Sequence, residues 1–179
     1  SRNHTELLFK YLGIPIKINK KKTYDLIKIK GIKKIKPFNY NIPSDISSGA
    51  FFLVLTALSK NSKLVIKNTN VNPSRIGILK ILKLMGIKVN IKRLKYYKGE
   101  KVADILIKSQ KNIIPIKCPK NLNSYAIDEF LLIFLVAAKA KGVSHFKDLA
   151  ELNQKESPRL IWGAKILKSI GIKTIVKKD

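Results

Sequence analysis

A pattern that recurs three times limits the fold of this chain more than any other feature. An apolar helical stretch ends in glycine and runs directly into an isoleucine-rich segment. It occurs at residues 8–13 followed by 14–18, at 81–86 followed by 87–91, and at 166–171 followed by 172–176. Glycine takes the left-handed backbone conformation that stops a helix, which Leu or Ile adopts only at a cost. The alternation after each glycine, as in Ile87-Lys88-Val89-Asn90-Ile91, predicts a strand with one buried face.

A second element lies between these. Residues 47–58 read as an apolar helix leading to a strand at 63–67, and residues 128–139 as a similar helix leading to a strand at 143–146. Each pair precedes a helix start that bears an arginine, Arg75 or Arg159. The unit is therefore strand–helix–strand–helix–strand–strand, about 80 residues long. It is complete once, near residues 33–109, with the tail of one copy before it and most of another after it. Such alternation predicts an α/β fold of repeated βαβαββ units. The two apolar helices carry almost no polar face, so they belong inside, with the sheets outside. Both ends of the chain, Ser1 and Asp179, read as cuts in a longer protein.

The net charge of +26 raises the question of nucleic acid. The basic residues are 33 Lys and only 4 Arg (Arg2, Arg75, Arg93 and Arg159), and the lysines alternate with Ile and Asn along nearly every segment. Base readout and phosphate forks favour Arg. Lys, Ile and Asn are residues whose codons an AT-rich genome favours, so drifted composition accounts for most of the charge. A nucleic-acid-binding module is thus the lesser alternative. Cys118 is the only cysteine, which excludes an internal disulfide and a cysteine-based zinc cluster and fits a reducing cytoplasm. The longest apolar run, residues 130–138, is too short to span a bilayer.

Two clusters carry candidate chemistry. Asp128 stands where the second buried helix begins, and two readings fit it: a carboxylate satisfying free helix N–H groups, or a proton-accepting carboxylate at the mouth of a cleft. Glu129 is adjacent, but lies about 100° away around a helix, so the two are not expected to act together. In the run Lys155-Glu156-Ser157-Pro158-Arg159, Pro158 suits a first helical position with Ser157 as its cap. Two cations around Glu156 fit either an anion site containing an acid/base or a surface Glu–Arg pair. Capping accounts for Asp45 and Ser74; His4, His145, Trp162 and Cys118 read as structural residues, the last two in the core. No metal-ligand spacing, phosphate loop or dinucleotide fingerprint is present.

The motifs taken in order resemble one family. Ser1-Arg2-Asn3-His4-Thr5-Glu6, Ser44-Asp45-Ile46-Ser47-Ser48-Gly49-Ala50, Asn72-Pro73-Ser74-Arg75, Gly99-Glu100-Lys101-Val102-Ala103-Asp104, Ile127-Asp128-Glu129 and Lys155-Glu156-Ser157-Pro158-Arg159 are similar to those of EPSP synthases. The resemblance implies two inside-out domains built from such units, with residues 1–41 ending the first and 42–179 forming most of the second, truncated at its last unit. It implies transfer of the enolpyruvyl group of phosphoenolpyruvate to the 5-hydroxyl of shikimate 3-phosphate. A monomeric cytoplasmic parent protein is expected, without metal or organic cofactor, and with the opposite wall of its cleft outside this chain. Asp128 then resembles the proton acceptor that binds the shikimate hydroxyls, and Glu156 the carboxylate that exchanges a proton with the phosphoenolpyruvate methylene. Lys155, Ser1 and Arg2 resemble ligands of shikimate 3-phosphate, and Arg159 the clamp on the phosphoenolpyruvate carboxylate. The sister transferase acting on UDP-N-acetylglucosamine is the nearer alternative. Pro158 and Asn153 depart from the family, which usually has Asp and Arg there.

Overall fold

The computed structural model describes residues 2–31 and 34–177. The predicted glycine stops are present: Gly13, Gly86 and Gly171 all have φ between 71° and 83°. They follow helices α1 (His4–Tyr11), α3 (Gly77–Leu84) and α5 (Arg159–Ser169). The first two stops lead into strands. Ile16–Lys20 (β1) pairs antiparallel with Asp25–Ile29 (β2) as a separate hairpin. Val89–Tyr97 (β4) joins Lys63–Asn70 (β3) and Glu100–Lys108 (β5) in an antiparallel sheet of order β3-β5-β4.

The central strand, β5, is the most buried, with Val102, Ile105 and Ile107 fully inaccessible. Asp104 on this strand holds an irregularity on each side. Its carboxylate accepts from the Asn68 N–H (2.9 Å) where β3 bulges and pairs with Arg93 (3.1 Å) where β4 does. Asn68 and Arg93 both have positive φ, so two strained positions share one acid between them. A two-residue hairpin, Lys98-Gly99, joins β4 to β5 with both residues at positive φ. Lys98 lies over the rings of Phe38, Tyr40 and Tyr97, fixing the segment before α2 (Ile46–Leu58) against this hairpin.

Helices α2, α3 and α4 (Phe130–Ala138) pack together against the sheet, and their apolar residues merge with β5 in one core. Phe130, Ile133 and Val136 of α4 are fully buried, but Leu135 is 37% exposed, so the expected burial on all sides is met only in part. Helix α2 departs from that expectation. Ala50, Leu53 and Ala57 are buried, but Phe51, Phe52 and Leu55 are 63%, 62% and 64% exposed. Among the described residues nothing covers that face.

Three predicted strands are absent among the described residues, the first being the opening strand of the complete unit, where residues 34–43 have no regular structure. Residues 172–177 have no regular structure and 143–146 form only an isolated bridge, Lys117 with His145. A strand needs a neighbour to complete its ladder. β4 has β5 beside it, whereas among the described residues no strand pairs with 172–177. Trp162 is not a core residue either: it is half exposed, with Lys165 over its ring. Cys118 is buried as expected, and burial pushes its thiol pKa up. Among the described residues no helix is long and apolar enough to cross a membrane.

Candidate functional site

Successive tight turns over residues 120–129 lead into α4 and carry Asp128. The N–H groups of Tyr125, Ala126 and Glu129 each bond a carbonyl three residues back. Asn123 Nδ2 donates to the carbonyls of Lys147 and Asp148, tying the turns to the far side of α4. At the other side the Gly77 N–H donates to the Tyr125 carbonyl (3.0 Å). A Cβ on Gly77 would stand 2.5 Å from the Tyr125 carbonyl carbon, so only glycine permits this approach.

Asp128 does not cap α4; Glu129 occupies the cap position and makes no side-chain cap bond. The expectation that helix N–H groups hold Asp128 is therefore corrected. Three cations hold it instead. Arg2 donates to Asp128 in an ion pair, while Arg159 approaches to 3.6 Å and Lys155 to 3.8 Å. Burial raises the Asp128 pKa, but the Arg2 bond and the charges of Arg2, Lys155 and Arg159 outweigh it and hold the group below the usual carboxylate range. Asp128 is thus an anion at neutral pH, and the excess positive charge around it suits anionic ligands.

Arg2 is held in place from behind. His4 pairs with the buried Glu100 (2.5 Å), and Asn72 Nδ2 reaches both Glu100 (3.2 Å) and Asn3 Oδ1 (2.9 Å). Sequence reasoning missed this anchor, because Glu100 looks like an ordinary polar residue after a hairpin turn. Ser1 lies outside the described residues.

Lys155 and Arg159 arrive from a short 3₁₀ turn (Ala150–Gln154) and from the first turn of α5. The expected Ser157 cap is absent. Pro158 itself stands at the cap position, and its carbonyl accepts from Trp162 (3.0 Å). Asn153 Oδ1 takes the Ile161 N–H (3.3 Å), so this departure from the family serves the helix start. Lys155 also pairs with Glu151 (3.7 Å). Glu156 pairs with Arg159 at 2.9 Å, as the surface reading expects, yet the same arginine reaches Asp128. The Glu156 carboxylate is well exposed; its own N–H and Arg159 keep its pKa below the usual value.

Behind this face lies a second polar group. Asp45 caps α2 by accepting from the Ser48 N–H (2.9 Å) and pairs with Arg75 (2.9 Å). Arg75 also donates to Ser47 Oγ (2.6 Å), which donates to the buried Glu129 (2.5 Å). Ser74 caps nothing: its N–H and hydroxyl both go to Asn72 Oδ1 (2.9 and 2.8 Å). A cavity of about 470 Å³ opens nearby, lined by His4, Phe38, Tyr40, Asp45, Arg75 and Glu100 among others. It excludes Asp128, Lys155 and Arg159, which sit on an open face. Among the described residues no group of three or more His, Cys, Asp or Glu is placed to hold a metal ion.

A family model described as EPSP synthase (3-phosphoshikimate 1-carboxyvinyltransferase) matches residues 1–179. The chain is 39% identical over 179 residues to 3-phosphoshikimate 1-carboxyvinyltransferase of Ruthia magnifica, covering all of this chain and 40% of that protein. It is 37% identical over 180 residues to the protein of the same name from Petrotoga mobilis, again with 100% and 40% covered. Its fold matches a solved EPSP synthase from Acinetobacter baumannii with a TM-score of 0.90 at 35% identity, over 100% of this chain and 39% of that one. The chain thus spans about 40% of the length of the curated relatives it matches. The family model over the whole chain, the identity to these relatives and the shared backbone agree, and the chain belongs to the EPSP synthase family.

Proposed function

We propose that the protein containing this chain transfers the enolpyruvyl group of phosphoenolpyruvate to the 5-hydroxyl of shikimate 3-phosphate and releases phosphate, a step of aromatic amino-acid biosynthesis. The observation that carries this reading is the convergence of Arg2, Lys155 and Arg159 on Asp128. Each substrate bears a phosphate and a carboxylate, and an arginine suits the planar carboxylate in particular. The relatives' shared name supports the same acceptor.

Protonation of the methylene carbon of phosphoenolpyruvate leaves the neighbouring carbon electron-poor. The 5-hydroxyl oxygen adds there while its proton passes to Asp128. Loss of a methyl proton then restores the double bond as the carbon–oxygen bond to phosphate breaks. Glu156 carries the proton to and from the methylene carbon, and Arg159 clamps the phosphoenolpyruvate carboxylate. When that carboxylate engages Arg159, it offsets a charge that keeps Glu156 ionised, so binding itself favours protonated Glu156. Lys155, Arg2 and Ser1 bind shikimate 3-phosphate, whose hydroxyls Asp128 accepts.

On this reading residues 1–41 end one domain and 42–179 form most of the next, in a monomeric cytoplasmic protein. The other wall of the cleft belongs to the rest of the parent. Incubating the full-length protein with phosphoenolpyruvate and each acceptor in turn tests the assignment. Phosphate release with shikimate 3-phosphate is expected. Release only with UDP-N-acetylglucosamine, or with neither, overturns it.

A further inference from the structure

The carboxylate next to Asp128 in sequence faces the other way and is built into the core. Glu129 is 2% exposed and accepts from Ser47 Oγ of α2 at 2.5 Å. Ser47 Oγ in turn accepts from Arg75 (2.6 Å), which is held by Asp45 (2.9 Å). Arg75 lies two residues before Gly77, whose N–H bonds the Tyr125 carbonyl of the same turn (3.0 Å). The turn carrying Asp128 is therefore fastened twice, at Tyr125 through backbone and at Glu129 through side chains. The first fastening ends on Gly77 at the start of α3, and the second on Ser47 of α2 and through it on Arg75 just before α3.

We propose that Glu129 is a positioning residue: through Ser47 and Arg75 it fixes the Asp128 turn to α2, so that Asp128 meets Arg2, Lys155 and Arg159 together. Backbone bonds hold the rest of the turn, and among the described residues the Glu129–Ser47 bond is the side-chain tie next to Asp128, since α4 begins only at Phe130 and Glu129 makes no cap bond. The groups that face Glu129 are Ser47 from α2, Asp128 from its own turn, Arg75 from the segment before α3, and Arg2 from before α1. Burial pushes the Glu129 pKa up; the Ser47 bond opposes this, and the Asp128 charge adds to it. The tie is a Ser47 hydroxyl donating to one Glu129 oxygen, so an acceptor oxygen at that place keeps it, and glutamine supplies one.

The link to catalysis rests on the function proposed above, but the positional claim can be read without it. Full-length protein labelled with carbon-13 at the aspartate carboxyls is titrated by NMR, with Asp128 assigned from the signal lost in Asp128→Asn. In Glu129→Ala and Ser47→Ala the Asp128 carboxyl is expected to titrate about one unit higher, as its cations fall out of reach. Glu129→Gln is expected to titrate as the unsubstituted protein does. Glu129→Ala and Glu129→Gln both remove charge but only the first removes the acceptor, so the pair separates position from electrostatics. In turnover, kcat is expected to fall about tenfold or more in Glu129→Ala and to be restored by glutamine. An Asp128 titration unmoved in both alanine variants overturns the proposal, even with lowered kcat. Absence of turnover in the unsubstituted protein would reject the transferase reading and leave the titration to decide this one.

Discussion

Asp128 and Glu129 are adjacent in sequence and opposite in environment. Bonds and charges from cations outweigh burial at Asp128, whereas at Glu129 burial wins. The consequences for stability have opposite signs. Asp128 titrates lower folded than unfolded, so its contribution is present above the ordinary aspartate value of about 3.9 and is lost as pH falls through the folded one. Glu129 titrates higher when folded, so its contribution is present below about 4.3 and is lost as pH rises through the folded value. Denaturant titrations at stepped pH should therefore show Glu129→Gln losing the second dependence and keeping the first. On the proposed function Glu156 moves a proton, and its exposed side chain adds little to stability. Glu156→Gln in the full-length protein is expected to lower kcat by about a hundredfold with unchanged Tm, checked by steady-state kinetics beside thermal melting. Asp128, Lys155 and Arg159 were legible as a site because motif order marked them. Glu129 was not, since its partner Ser47 lies 82 residues earlier and no local spacing relates them.

Helices were more legible than strands. A glycine stop and an apolar period are local signals, and α1, α3 and α5 end where they predict. Strand order depends on neighbours, so residues 172–176 carry the alternation of β4 without its ladder. The start of α3 shows how an element positions the site. Gly77 allows contact with Tyr125 that any Cβ blocks, which ties α3 to the Asp128 turn. Gly77→Ala should cost about 2 kcal/mol, because the clash is with backbone that cannot rotate away. Chemical denaturation measures that loss, and activity should fall with it as the turn shifts. An unchanged midpoint would contradict the contact's importance.

For the molecule as a whole, an unpartnered helix face and an open site have the same origin in this account. Phe51, Phe52 and Leu55 stand exposed on α2, and among the described residues nothing closes over Asp128, whose side chain is 26% exposed. The sequence predicted a fully buried α2 because it has no polar side, and composition cannot say which neighbour supplies the cover. The isolated chain is expected to bind an apolar dye such as ANS and to release no phosphate. Full-length protein should show neither property; dye fluorescence on the two samples checks this. The central claim is that Asp128, surrounded by Arg2, Lys155 and Arg159, accepts the proton of the attacking hydroxyl. It is tested most directly by phosphate release from phosphoenolpyruvate and shikimate 3-phosphate, comparing full-length protein with Asp128→Ala. The account predicts substrate-dependent release that falls at least about a hundredfold in the folded variant. Equal rates in the two proteins would contradict it.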